Sequence, residues 1–252
     1  FGERSFFCNS GAEANEAAIK LARKWALQNL TSKQRTIITA EKSFHGRTLT
    51  TITATGQEKY QKAFVPLPPG FRYVPFGNIE AMEGAADDTV CAIMLEPIQG
   101  EGGINVPDER YLAGVRRLCD ERGLLLILDE VQTGVGRTGR WFGYEHYGIE
   151  PDVMTLAKSL GGGFPIGACL AKGDAATAFE PGDHASTFGG NHLACAASLE
   201  TLAIIEDEGL VQNAAAMGGL LAERFGAISE EMDAVDHIRG KGLLLGLQLT
   251  KP

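Results

Sequence analysis

Short apolar, β-branched runs alternate along this chain with stretches in which apolar residues recur every third and fourth position, and that alternation predicts an α/β architecture with a largely parallel sheet. Residues 5–8, 36–39, 73–76, 90–95, 124–128, 153–156 and 166–171 read as strands; residues 13–30 and 109–122 read as helices. Pro66, Pro68, Pro69 and Gly70 mark an exposed loop between them. From about Asn191 the character changes. Two long helical stretches, 194–208 and 210–228, follow each other, and then 235–249 alternates toward a strand. The expected organisation is a large domain over residues 1–190, then a connecting helix and an incomplete, smaller α/β domain over 191–252.

A length of 252 residues with 44% hydrophobic content suffices for one sizeable core. The net charge of −9, with acids and bases mixed along the chain and no basic run, gives no footprint for nucleic acid or an anionic membrane surface, and so directs attention to small-molecule chemistry. No apolar run reaches the roughly 20 residues of a membrane span, and the N-terminus is not signal-like. Cys8, Cys91, Cys119, Cys169 and Cys195 are widely spaced, with no Cys-x-x-Cys pair. They read as reduced core residues of a cytoplasmic protein, and the five histidines show no metal-ligand spacing. A first residue other than methionine, inside a strand-like segment, and a last one just past another suggest a fragment of a longer protein.

The chemistry concentrates where the unbroken apolar run 124–128 ends in Asp129, and where Lys158 stands just ahead of Gly161, Gly162 and Gly163. A strand-end carboxylate and a lysine beside a glycine-rich turn suit a pyridoxal-phosphate site: the lysine can form an imine with the cofactor aldehyde, and a buried aspartate can keep the pyridine nitrogen protonated. The glycine run is expected to let backbone approach the lysine closely. Asp129-Glu130 also matches the magnesium-binding strand of a phosphate-loop ATPase. That fold requires Gly-x-x-x-x-Gly-Lys-Ser/Thr as well, and the chain has no such segment. Taken alone, the two acids equally suit the solvation of a strand end.

Residues 5–16 read as strand, glycine turn and helix, so the first N–H groups of the helix, at Gly11 and Ala12, can seat a phosphate. Ser10 and Glu13 equally fit a plain capping box.

Five segments stand in the order and spacing of one family: Ser10-Gly11-Ala12-Glu13-Ala14-Asn15-Glu16, Phe44-His45-Gly46-Arg47-Thr48, Glu96-Pro97-Ile98-Gln99-Gly100-Glu101-Gly102-Gly103, Asp129-Glu130-Val131-Gln132-Thr133-Gly134 and Ser186-Thr187-Phe188-Gly189-Gly190-Asn191. Through them the chain resembles the class III (ω-) aminotransferases from end to end. Phe44–Thr48 and Gly136-Arg137-Thr138-Gly139 are most similar to the members that act on N-acetylornithine.

The resemblance implies the pyridoxal-phosphate-dependent transferase fold of type I, with a mostly parallel central sheet flanked by helices. It implies transfer of the distal amine of N-acetylornithine to 2-oxoglutarate, in arginine biosynthesis. Succinyl-diaminopimelate, ornithine and 4-aminobutyrate are alternative donors, and a truncated cofactor-binding remnant without turnover is a different alternative. For the site it implies Lys158 as the Schiff-base lysine and proton carrier, Asp129 on the pyridinium nitrogen, Phe44 stacked on the ring, Val131 on its other face and Gln132 near the ring hydroxyl. Gly11 and Ala12 would bind the phosphate, with Glu130 grouped among the cofactor residues. Thr187 would reach the phosphate of a neighbouring subunit, which implies a homodimer with shared sites. Arg47 would hold the substrate α-carboxylate through its planar fork, Ser186 would touch the same substrate, and Glu101 would lie on its access side.

Overall fold

The computed structural model describes residues 1–250. In chain order its elements are β1 (Arg4–Cys8), α1 (Gly11–Asn29), β2 (Thr36–Ala40), α2 (Leu49–Ala54), α3 (Glu58–Gln61), β3 (Phe71–Val74), α4 (Ile79–Ala85), β4 (Val90–Leu95), α5 (Tyr111–Arg122), β5 (Leu125–Asp129), β6 (Val153–Leu156), β7 (Gly167–Ala171), α6 (Gly173–Ala176), α7 (His192–Asp207), α8 (Leu210–Glu231), β8 (Val235–Lys241) and β9 (Leu244–Leu249).

The continuously apolar runs form the middle of one sheet, because a strand covered on both faces has no side that favours polar residues. Every residue of β4, β5 and β6 is buried. The seven strands lie in the order β1-β7-β6-β5-β4-β2-β3. All are parallel except β7, which runs antiparallel to both β6 and β1. Successive side chains point to opposite faces and so sort into two cores. Ile93, Leu95, Leu126 and Leu128 join Tyr111, Leu112, Val115 and Leu118 of α5. Ala92, Met94, Leu125 and Ile127 join Ala17, Ala18, Leu21, Ala22 and Trp25 of α1. This is the expected mostly parallel sheet flanked by helices. The antiparallel pair β8-β9 forms a separate sheet beyond α8.

Three local departures have physical causes. The strand expected at 73–76 lies at 71–74, because Pro75 has no N–H to continue the ladder with β2. The single strand expected over 235–249 is a hairpin: Gly242 has φ +53 and Lys241 pairs with Leu244. Residues 49–54, Leu-Thr-Thr-Ile-Thr-Ala, carry strand propensity yet form α2, whose first turn is fixed by reciprocal Thr48–Thr51 capping bonds. Cys8, Cys91, Cys119 and Cys169 are buried, Cys195 is half-buried, and all five are free. Among the described residues no helix is long and apolar enough to cross a membrane.

Candidate active site

The chain leaves the sheet at the carboxyl ends of β1, β2, β4, β5 and β6, and these five exits surround one cavity of about 490 Å³, a size typical of small-molecule sites. Its walls bring together Gly11, Ala12, Phe44, Arg47, Asp129, Val131, Gln132 and Lys158, eight residues drawn from four separate sequence segments. Open parallel sheets place ligands at this end because strand ends and helix starts converge there.

Asp129 is in register with Thr155, so Lys158 emerges from the adjacent strand just beyond it. The Asp129 carboxylate is buried and held by three donors. Asn15 Nδ2 lies 2.7 Å and His45 Nδ1 2.8 Å from Oδ2, and the Val131 N–H lies 3.1 Å from Oδ1. Asn15 is itself fixed: its amide also donates to the His45 carbonyl at 2.7 Å, and its oxygen accepts the Thr155 hydroxyl at 2.7 Å. Burial lowers the Lys158 amine below the usual lysine range, while the charges of Asp129, Glu101 and Glu96 oppose that shift. The lysine backbone is left-handed, φ +41, a conformation that costs energy in a residue other than glycine.

Glu96 ends β4 inside the same cavity and accepts the Phe44 and Gly100 N–H groups at 2.9 and 3.0 Å. Burial pushes its carboxyl up to about 7, aided by the Asp129 charge and opposed by His45. Phe44 is thereby tied to the β4 exit. Gly46, at φ +135, lets the chain turn after it; a Cβ there would stand 2.6 Å from Thr51 Oγ1. Arg47 follows on the rim, exposed, its guanidinium 4.7 Å from the Tyr60 ring centre and 5.6 Å from that of Phe44.

At the start of α1 the expected Ser10–Glu13 capping forms. Ser10 Oγ accepts the Glu13 N–H at 3.2 Å and the Glu13 carboxylate returns to the Asn9 N–H at 2.9 Å. This capping leaves the N–H groups of Gly11 and Ala12 on the cavity wall. A Cβ on Gly11 would meet Val131 Cγ1 at 2.9 Å, so Gly11 and Val131 close on each other across that wall.

Two expected cofactor residues, Thr187 and Glu130, are absent from the cavity lining, and Glu130 points elsewhere. It is turned into the core, where its carboxylate accepts the Thr133 hydroxyl and the N–H groups of Gly143 and Tyr144, both at 2.8 Å. Alternation at the strand end sends Asp129 and Glu130 to opposite sides, so Glu130 anchors the 143–144 loop. Glu101 is exposed outside the cavity lining, near enough for its charge to act on Lys158. Ser186 approaches the rim through its Oγ, 3.0 Å from Asn9 Nδ2, and Thr187 is exposed beside it. Within the glycine run Gly161 packs against Ile166, Gly162 is left-handed beside Thr201, and Gly163 lines the cavity together with Lys158.

Asn15 and Glu96 were not among the expected site residues, and His45 carried no assigned role. A signal existed for the first two. Asn15 precedes Ala18 and Ala22 on the buried face of α1, where an amide needs partners, and Glu96 prolongs a six-residue buried strand.

The family model "Aminotransferase class-III" matches residues 1–252. An acetylornithine aminotransferase of Caldanaerobacter subterraneus subsp. tengcongensis is 58% identical over 249 residues, 99% of this chain and 63% of the relative. One from Nitrosomonas europaea is 55% identical over 252 residues, 99% of this chain and 64% of that protein. Among solved structures, an ornithine aminotransferase of Toxoplasma gondii with partial pyridoxal-phosphate occupancy superposes with a TM-score of 0.94 at 38% identity, covering 98% of this chain and 60% of that one. The chain thus spans somewhat under two thirds of the length of these relatives. A match along its whole length, to proteins more than half identical, shows that the chain belongs to the class-III aminotransferases, a family whose cofactor is pyridoxal phosphate.

Proposed function

We propose that this protein transfers the distal amine of N-acetylornithine to 2-oxoglutarate, giving N-acetylglutamate semialdehyde and glutamate in arginine biosynthesis, and that it works as a homodimer. The observation that carries the reading is a partly desolvated lysine in the same cavity as a buried aspartate with three donors behind it. The choice of donor draws its support from curated relatives above 50% identity that bear the acetylornithine name, against 38% for the ornithine enzyme.

The residues present fit pyridoxal phosphate. Gly11 and Ala12 offer unused N–H groups at a helix start for a phosphate, and Asp129 retains acceptor capacity toward the cavity for a protonated ring nitrogen. Phe44, Val131 and Gln132 line the same cavity and would flank the ring. When bound, the cofactor supplies an aldehyde that primary amines attack and a ring that withdraws electrons from the carbon bearing the amine. Lys158 would hold it covalently, and its amine, when free, would be the proton carrier that accepts and returns the proton at the substrate carbon. Lowered basicity leaves more of that amine neutral and able to accept the proton. Asp129 would hold the ring nitrogen charged by opposite-charge stabilisation.

Arg47 binds the α-carboxylate, with Ser186 assisting, so that the far amine points inward to Lys158. Glu101 guards the access side, and Thr187 serves the partner's cofactor. Residues 1–190 form the cofactor-binding domain, and 191–252 belong to a connecting helix and smaller domain.

The test is steady-state turnover with N-acetylornithine, ornithine, succinyl-diaminopimelate and 4-aminobutyrate, each with 2-oxoglutarate. N-acetylornithine should give the highest kcat/KM. Preference for another donor would replace the substrate, and cofactor binding without turnover of any would replace the activity.

A further inference from the structure

The hairpin β8-β9 stands apart from the sheet that builds the cavity, yet it grips the turn that carries Glu101. That turn is short and closed on itself. Gln99 and Asn105 exchange backbone bonds, each at 3.0 Å, and the N–H groups of Gly103 and Ile104 both donate to the Gly100 carbonyl, at 3.1 and 3.2 Å. Its cavity side is fixed by Glu96, which accepts the Gly100 N–H at 3.0 Å, and by Gln132, whose amide fills the space a Cβ on Gly100 would need. Both Glu96 and Gln132 line the cavity. On the far side of the turn Gly103 and Ile104 have positive φ, +112 and +52. Glycine takes up such a backbone freely, whereas isoleucine, branched at Cβ, does so only where its neighbours hold it there.

Those neighbours come from the hairpin. Arg239 and Gly246 face each other across its two strands, and both meet the same dipeptide. Arg239 Nε donates to the Gly103 carbonyl at 2.7 Å, the side chain's only hydrogen bond among the described residues. Gly246 leaves room for the Ile104 side chain: a Cβ on it would stand 3.1 Å from Ile104 Cβ and Cγ1. One charge-assisted bond and one close contact, made by a segment 136 residues away, thus hold the turn from outside, while Glu96 and Gln132 hold it from inside. Between the two holds stands Glu101, whose charge acts on Lys158. We infer that Arg239 is a positioning residue: through its bond to Gly103 the hairpin sets where Glu101 stands beside the cavity. The inference rests on the reading that Glu101 serves the access side of the substrate.

The experiment compares the protein with R239M, R239K, G246A, E101Q and the R239M/E101Q double variant. Methionine keeps an unbranched stem and removes the donor; lysine restores a donor and the charge. Two quantities are read. The first is hydrogen exchange of the Gly103 and Ile104 amides, which needs no turnover. The second is KM beside kcat for whichever donor amine the protein uses best, or the dissociation constant of that amine where turnover is absent. In R239M exchange should quicken and KM rise, each by about twofold to tenfold, the size of one lost hydrogen bond, with kcat and the visible spectrum of the bound cofactor unchanged. R239K should recover most of both, and G246A, which presses on Ile104 from the hairpin side, should raise KM in its own right. Because Arg239 acts through Glu101, R239M/E101Q should match E101Q alone. Either quantity unchanged in R239M overturns the inference. So do a loss confined to kcat and effects of R239M and E101Q that multiply, both of which leave Arg239 a merely structural residue. An unaltered KM in E101Q instead defeats the reading of Glu101, and the inference with it. Should R239M not fold, G246A and its double variant with E101Q carry the same comparison.

Discussion

On the proposed role of Arg47, Arg47→Lys should separate recognition of the substrate carboxylate from cofactor chemistry. The guanidinium is held over two rings, 4.7 Å from the centre of Tyr60 and 5.6 Å from that of Phe44, and makes no ion pair among the described residues, so its donors remain available to a ligand. Lysine keeps the charge but presents a compact ammonium, which cannot form two parallel bonds to a carboxylate. Losing one charge-assisted bond of two costs about 1.5–3 kcal/mol, or about tenfold to a hundredfold in binding. Removing the Tyr60 ring is a milder perturbation. An exposed cation–π contact contributes about 0.5–1 kcal/mol, so Tyr60→Leu should weaken binding by about twofold to fivefold. The assay is steady-state kinetics with N-acetylornithine and with an analogue lacking the α-carboxylate, beside the visible spectrum of the bound cofactor. Arg47→Lys should be impaired with the first substrate, indifferent with the second and spectrally unchanged. Equal impairment on both would refute the role and make Arg47 a support for Phe44 and the cofactor.

Lys158→Ala should retain cofactor only noncovalently and lose nearly all turnover; borohydride treatment and peptide mapping of the unaltered protein should find the label on Lys158, and a label on Lys172 would sink the assignment. Because burial lowers the Lys158 amine, covalent cofactor capture should rise with pH as the neutral amine forms, with a midpoint below the 10.5 of a free lysine; a midpoint at or above 10.5 in stopped-flow absorbance would contradict it. Glu130→Ala orphans the buried N–H groups of Gly143 and Tyr144, so urea unfolding should show a loss of about 3 kcal/mol while the folded protein binds cofactor normally; weakened binding with unchanged stability would return Glu130 to the site.

Much of this molecule was legible in its sequence because apolar patterning is local. Runs such as 90–95 and 124–128 announced central strands, since only a strand covered on both faces is apolar throughout. Asp129 and Lys158 stood out because each interrupts such a pattern beside a turn. Edges were harder: β3 borders solvent, and Pro75 rather than hydrophobicity set its end. Residues 49–54 became a helix against their propensity because capping at Thr48 and burial of Ile52 outweighed it.

What only the tertiary structure decided is the direction and company of polar side chains. The sequence by itself placed Asp129 and Glu130 side by side at a strand end; the sheet sent one to the cavity and the other to the 143–144 loop. It held Asn15, His45 and Thr155 in three distant segments, and only the crossing of α1 over β5 and β6 joined them into one network with Asp129. Hydrophobic periodicity records which face of an element is buried. A hydrogen bond depends on a few tenths of an ångström between groups up to 140 residues apart, a distance that no local pattern encodes and that the packing of the whole sheet fixes.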